Sequence, residues 1–244
     1  MKPENKQPQH QTVLAAEKEC IYEGFLFVNP ICSRSYHCEQ EVFRFMQETD
    51  KRFYLRVIAV TNLGLCQKFF THMLGPKMTL AEKNKLYQAV QAIAMGYKAA
   101  LLQGKKCGRE YLLAMQKYFG EEKQPYSKEA MAQQLEHLKM DTEMFWEDIA
   151  SGEAKASLAQ DMHLANQMEI TCTPSLVLFN NINCQYGIKI DGGLTTEELE
   201  RVIARTEKSY QRHYPTLTNA RQKTKQGKTL SKHHGSIKPF QLQN

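Results

Sequence analysis

Two runs rich in aromatic and β-branched residues, Ile21 to Asn29 (IYEGFLFVN) and Phe53 to Val60 (FYLRVIAV), flank a stretch of helical periodicity. Each run has the length of a buried strand, and the first ends at Pro30. Between them Glu39, Val42, Phe43, Phe45 and Met46 recur at helical spacing, with Glu39 and Glu41 near the start, until Thr49 and Asp50 interrupt the pattern. Strand, helix and strand in this order form a βαβ unit, for which a parallel, right-handed connection is the default. That unit commits the chain to a sheet flanked by helices.

The middle of the chain is different in kind. From Asn62 to about Ser157 the residues are mainly Leu, Ala, Met, Gln, Lys and Glu, which predicts a helical block. Helices are expected over 79–103 (Thr79 as N-cap, Gly104 as stop), 105–119 (ending at Gly120), 127–139 (Ser127 as N-cap), 141–150 (Asp141 as N-cap) and about 153–168. Strand character returns in Ser175 to Phe179 and Gln185 to Ile190, separated by Asn180, Asn181 and Asn183, the pattern of a β-hairpin. Asp191, Gly192 and Gly193 make the next turn, and Thr195 caps a final helix with Glu197 and Glu198 in its first turn.

Charge is uneven along the chain. The net charge is +6, but all 26 acidic residues lie at or before Glu207, and eight Lys or Arg follow between Lys208 and Asn244. The tail lacks periodic apolar residues that would compensate the entropy of ordering it, so it reads as disordered. Its cations, with Tyr210, Tyr214 and Phe240, admit a nucleic-acid reading, which ranks below that of a solvated tail. No apolar run approaches the roughly 18 residues of a membrane span. Met1 to Gln11 has no apolar core of a secretory signal, so a cytoplasmic protein without a membrane partner is expected. The seven cysteines, at positions 20, 32, 38, 66, 107, 172 and 184, are odd in number and scattered, which does not suit a disulfide scaffold.

Cys32 stands where the first strand turns into a helix, and a thiolate there gains from unpaired N–H groups and the helix dipole, with Arg34 adding positive charge. It is therefore a candidate nucleophile, or else a small packed residue. Thr173-Pro174 immediately precedes a strand, where a cis peptide bond would fit and could expose backbone for pairing with an extended peptide. A metal site built on Cys32, His37 and Cys38 lacks the second ligand pair that structural zinc prefers, and no cofactor signature is present.

These features together resemble the DsbA-like thioredoxin-fold proteins, over about Ile21 to Glu207. Within that group the segments FLFVNPICSRS, FYLRVIAV, QAIAMGYKAALLQGKKCGREYLLAMQKYF and TCTPSLVLFN are most similar to the YjbH/SpxH family of ClpXP adaptors, which deliver the stress regulator Spx to the ClpXP protease. The resemblance implies an α/β thioredoxin-like (DsbA-like) fold with a large helical insertion. Its expected organisation is a flexible segment 1–17, a thioredoxin-like domain 18–61 and 158–207, a helical insertion 62–157, and the basic disordered tail 208–244. Redox members carry Cys-x-x-Cys, whereas this chain has Cys32-Ser33-Arg34-Ser35, with Ser35 in place of the resolving cysteine. Cys38 is a poor substitute, because six helical residues advance about 9 Å and a disulfide needs Cα atoms within about 7 Å.

The implied function is an adaptor that binds Spx and promotes its degradation by ClpXP under non-stress conditions, without cofactor, through the groove at Cys32, Thr173 and Pro174 or through the helical insertion. On the insertion, Met131, Leu135, Leu138, Phe145 and Trp146 read as core before they read as surface. The competing class is an enzyme: a cytoplasmic thiol-disulfide oxidoreductase or glutathione-transferase-like protein using Cys32 alone, with Ser35 donating a hydrogen bond to its thiolate.

Overall fold

The computed structural model describes residues 20–75, 77–181, 186–213 and 238–241. In chain order these form β1 (Ile21–Val28), α1 (Ser33–Glu48), β2 (Arg52–Ala59), α2 (Leu63–Leu74), α3 (Leu80–Leu102), α4 (Lys105–Met115), a π-helical turn (Gln116–Glu121), α5 (Lys128–His137), α6 (Thr142–Ser151), α7 (Glu153–Gln167), β3 (Ser175–Asn180), β4 (Tyr186–Asp191), α8 (Thr196–His213) and β5 (Lys238–Gln241). The five strands make one sheet in the order β2-β1-β3-β4-β5. β1 and β2 are parallel, as a βαβ unit requires, and the remaining pairs are antiparallel.

The sheet is covered on both faces, which is why its inner strands are apolar without strict alternation. Leu176 and Leu178 of β3 face a core that includes Cys38, Val42 and Phe45 of α1 and Leu199, Val202 and Ile203 of α8. Val177 and Phe179 face a second core with Ala165, Met168 and Ile170 at the end of α7. Cys66 and Phe70 of α2 pack with Val90 of α3 in a third cluster, while helices α3 to α6 pack into the first of these cores. There Met131, Leu135 and Phe145 are fully buried and Leu138 and Trp146 are partly buried, so all five contribute to the interior. At Gly96 of α3 a Cβ would overlap the hydroxyl of Tyr111, so the close approach of α3 and α4 depends on a residue without a side chain.

Most helix starts obey local capping chemistry. Thr79 and Glu82 form a capping box on α3, Ser127 caps Ala130 N–H at α5, and Asp141 caps Met144 N–H at α6. Thr195 and Glu198 exchange the same reciprocal bonds at α8. Four expectations need correction. α1 begins at Ser33, so Glu39 lies in its second turn and is fully buried. A helix over Leu63–Leu74, not singled out in the sequence, starts at Asn62, whose Oδ1 accepts from the Gly64 and Leu65 N–H groups. Gly120 does not stop the helix before it; α4 passes into the π-helical turn, which runs through Gly120. The basic tail is not wholly without structure, because α8 continues to His213 and Lys238–Gln241 pairs with β4. The segment 1–17 and tail residues 214–237 and 242–244 lie outside the described residues.

Candidate functional site

The turn from β1 into α1 is held by a small set of hydrogen bonds around Asn29. Its N–H donates to Ser35 Oγ at 3.1 Å, its Oδ1 accepts the Ile31 N–H at 3.0 Å, and its carbonyl accepts the Cys32 N–H at 3.2 Å. Cys32 is the N-cap of α1, with extended backbone, and its side chain makes no capping bond. The thiol is buried, with 2% of the residue exposed. Ser35 is also fully buried, and its hydroxyl accepts from Asn29. The serine at the position of the missing sulfur thus braces the turn as an acceptor, and its own O–H is left over from that bond.

The π-helical turn closes over this corner. A Cβ on Gly120 would stand 3.0 Å from the carbonyl carbon of Ile31 and 3.1 Å from the Cys32 nitrogen, so backbone rests directly on backbone there. Gln116, the first residue of the same turn, donates from Nε2 to Glu39 Oε1 at 2.6 Å and lies 3.4 Å from the Asn29 carbonyl. Gln116 and Glu39 are both fully buried. Burial pushes the Glu39 carboxyl up to about 8, against a smaller downward pull from the Gln116 bond. Gln116 did not stand out in the sequence and Gly120 read only as a helix stop, because their partners are about 77 to 89 residues away and local spacing carries no trace of such contacts.

Pro174 reaches the same end of the sheet by register. Ser175 is opposite Phe27, so Pro174 flanks the last residues of β1, just before the Cys32 turn. The Thr173-Pro174 peptide bond is cis, and the Pro174 carbonyl accepts from the Gly192 N–H at 2.9 Å. Arg34, in the first turn of α1, has its Nη2 3.6 Å from where a Cβ on Gly192 would stand. The structure therefore assembles Cys32, Arg34, Thr173 and Pro174 around one corner. Cys172 is half-buried, with Sγ 3.4 Å from Ser175 Oγ, and Ser175 in turn donates within reach of the Cys172 carbonyl and Asp191 Oδ1.

The other features weighed in the sequence lie elsewhere. Cys38 sits on the unbroken helix α1, where burial pushes its thiol up to about 11, and Cys32 and Cys38 are both free. His37 points to Glu121 of the π-helical turn, with Nε2 3.2 Å from its carboxylate. Among the described residues no helix is long and apolar enough to cross a membrane.

A central sheet with one parallel βαβ unit, a cis-proline entering the antiparallel half and a cysteine capping the intervening helix coincides with what sequence comparison finds. The family model described as Thioredoxin matches residues 25–201. The chain belongs to the thioredoxin family. Solved DsbA-like structures share the fold: the oxidoreductase DsbA from Xylella fastidiosa aligns with a TM-score of 0.52 at 13% identity, covering 79% of this chain and 87% of that one. The thiol-disulfide exchange protein alpha-DsbA2 from Wolbachia pipientis aligns at 0.51 and 9% identity, covering 77% and 86%. Among curated proteins, the ClpXP adapter protein SpxH of Bacillus subtilis is 26% identical over 197 residues, covering 74% of this chain and 66% of the relative. This thioredoxin-family chain thus spans just under two thirds of the length of that relative. Its fold is thioredoxin-like and DsbA-like, with the helices after β2 forming the large insertion that the resemblance implied.

Proposed function

We propose that this chain is a cytoplasmic adaptor that binds the stress regulator Spx and promotes its degradation by the ClpXP protease. The carrying observation is the state of the corner at Cys32: the one sulfur left from a redox pair is 2% exposed beneath the π-helical turn, and Ser35 is engaged with Asn29. A disulfide-exchange nucleophile must be reached by its partner in line, so such a corner suits gripping better than electron transfer. Similarity to proteins named ClpXP adapter protein SpxH supports the same reading. An adaptor accelerates proteolysis by raising the effective concentration of its client at the unfoldase, which requires no bond to be made or broken on the adaptor.

The competing reading, a thiol-disulfide oxidoreductase working through Cys32 alone, draws on the cis Thr173-Pro174 bond that remains beside the cysteine turn. A reconstituted degradation assay separates the two. The purified chain should accelerate Spx loss by ClpXP, and Cys32→Ala should accelerate it within about twofold of the unmodified chain. If Cys32→Ala abolishes the acceleration, or the unmodified chain reduces insulin or glutathione disulfide catalytically while Cys32→Ala does not, the adaptor reading gives way to the enzyme.

A further inference from the structure

The contact between α1 and the π-helical turn contains an unbalanced hydrogen-bond count. Gln116 Nε2 donates to Glu39 Oε1 at 2.6 Å, yet Glu39 Oε2 and Gln116 Oε1 are both buried without a hydrogen-bond partner. Two orphaned acceptors on side chains that already touch would be costly, since each forfeits its bond to water. An ionised carboxylate has no donor to offer, whereas a protonated one has a single O–H. With that proton on Oε2, acid and amide exchange one bond in each direction and both orphans are satisfied.

We propose that Glu39 carries a proton that closes a reciprocal acid–amide pair with Gln116 and thereby clamps the π-helical turn onto the Cys32 corner. The two ends of the clamp are already defined: Gln116 begins the turn, and four residues later Gly120 rests on Ile31 and Cys32. The titratable groups that feel Glu39 are Cys38 on its own helix and Tyr97 on α3. Burial holds both above their ordinary values and hence neutral, so neither supplies a positive charge to an ionised Glu39. The polar group on the β1 side is the Asn29 carbonyl, an acceptor. Losing the proton would leave a buried anion with the Gln116 amide as its one donor and with Oε2 still facing no donor, which favours opening of the clamp and exposure of Cys32.

The direction of the pH dependence comes from linkage. The folded-state value of about 8 lies above the ordinary value of 4.5, so the folded chain holds this proton where the unfolded chain has released it. The contribution to stability is complete below about pH 4.5 and is lost as pH rises toward about 8. Glu39→Gln keeps the reciprocal bonds and cannot titrate. In thermal melts of the full chain from about pH 5 to 9, the melting temperature of the unmodified chain should fall relative to Glu39→Gln and then level off above about pH 8. A difference that stays constant with pH overturns the proposal. If Glu39→Gln does not fold, calorimetry of the unmodified chain near neutral pH in two buffers of unlike ionisation enthalpy decides it: release of a proton on unfolding supports the clamp, and absence of release overturns it. Alkylation of Cys32, monitored by mass spectrometry, reads the clamp itself. The rate in the unmodified chain divided by that in Glu39→Gln should rise several-fold between about pH 6 and 9, and a constant ratio would detach Glu39 from the Cys32 corner.

Discussion

Glu39 and Asp161 are sealed from solvent to the same degree, each with no exposed surface, but the chain treats them in opposite ways. Asp161, on α7, forms ion pairs with Lys98 of α3, itself 5% exposed, and with Arg56 of β2, whose Nη2 is 2.6 Å away. Glu39, on α1, has an amide for a partner. Tyr97 of α3 stands between them; it feels both carboxylates and donates its hydroxyl to the Val57 carbonyl. The contrast teaches that burial alone does not set the charge of a carboxyl group. Two cations meet Asp161 and tie the helical insertion to the sheet, whereas an amide pairs fully with Glu39 only if the acid keeps its proton.

The sharpest way to break this contrast is Asp161→Asn. The shape is preserved, but Lys98 is left as a buried cation with no carboxylate, a situation that typically costs about 3–5 kcal/mol. Urea denaturation should register a loss of that size. A loss near 1 kcal/mol would mean that Lys98 finds water or another acceptor, and the trio would no longer count as a buried ion cluster.

A smaller loss is expected on the other side of the comparison. Gln116→Leu removes the amide while keeping volume, leaving a neutral acid without its partner, for which about 1–3 kcal/mol is the ordinary cost of an unsatisfied buried group. Because the acid stays neutral, this loss should be clearly below that of Asp161→Asn in the same urea series at about pH 6. Equal losses would place a full charge on Glu39 and erase the distinction.

Local signals in the sequence reached the elements but not these clusters. The strands were legible because aromatic and β-branched runs of about six to eight residues suit a pleated, buried surface. Thr79, Ser127 and Asp141 marked helix starts because capping is a bond between residues two or three apart. The Thr173-Pro174 bond was legible for a similar reason, since a proline at a strand entrance offers few geometries. Glu39 read as an acid near the start of a helix, and only the tertiary fold reveals that it is enclosed and faces Gln116 from 77 residues away. Gly120 read as a helix stop because nothing local distinguishes a stop from a close backbone contact. The β5 strand was missed because Lys238–Gln241 contains Pro239 and carries no alternating apolar pattern; its pairing depends on the exposed edge of β4. At the candidate site, Cys32 and Pro174 were legible as residue types in suggestive places, while the burial of Cys32 was not.

The smallest expected effect tests whether the Asp161 cluster acts as a trio or as a pair with an attendant. Arg56 is 51% exposed, so water already stabilises much of its guanidinium and screens its attraction to Asp161. Lys98 has no such access. Arg56→Ala should therefore cost at most about 1 kcal/mol, with the Lys98–Asp161 ion pair left in place. Combining Arg56→Ala with Asp161→Asn gives a double-mutant cycle whose coupling energy should be of the same small size. A loss for Arg56→Ala approaching that of Asp161→Asn would show that one cation cannot balance a carboxylate at this depth. The difference between the two buried acids would then lie in the number of positive charges each recruits, with the depth of Lys98 counting for little.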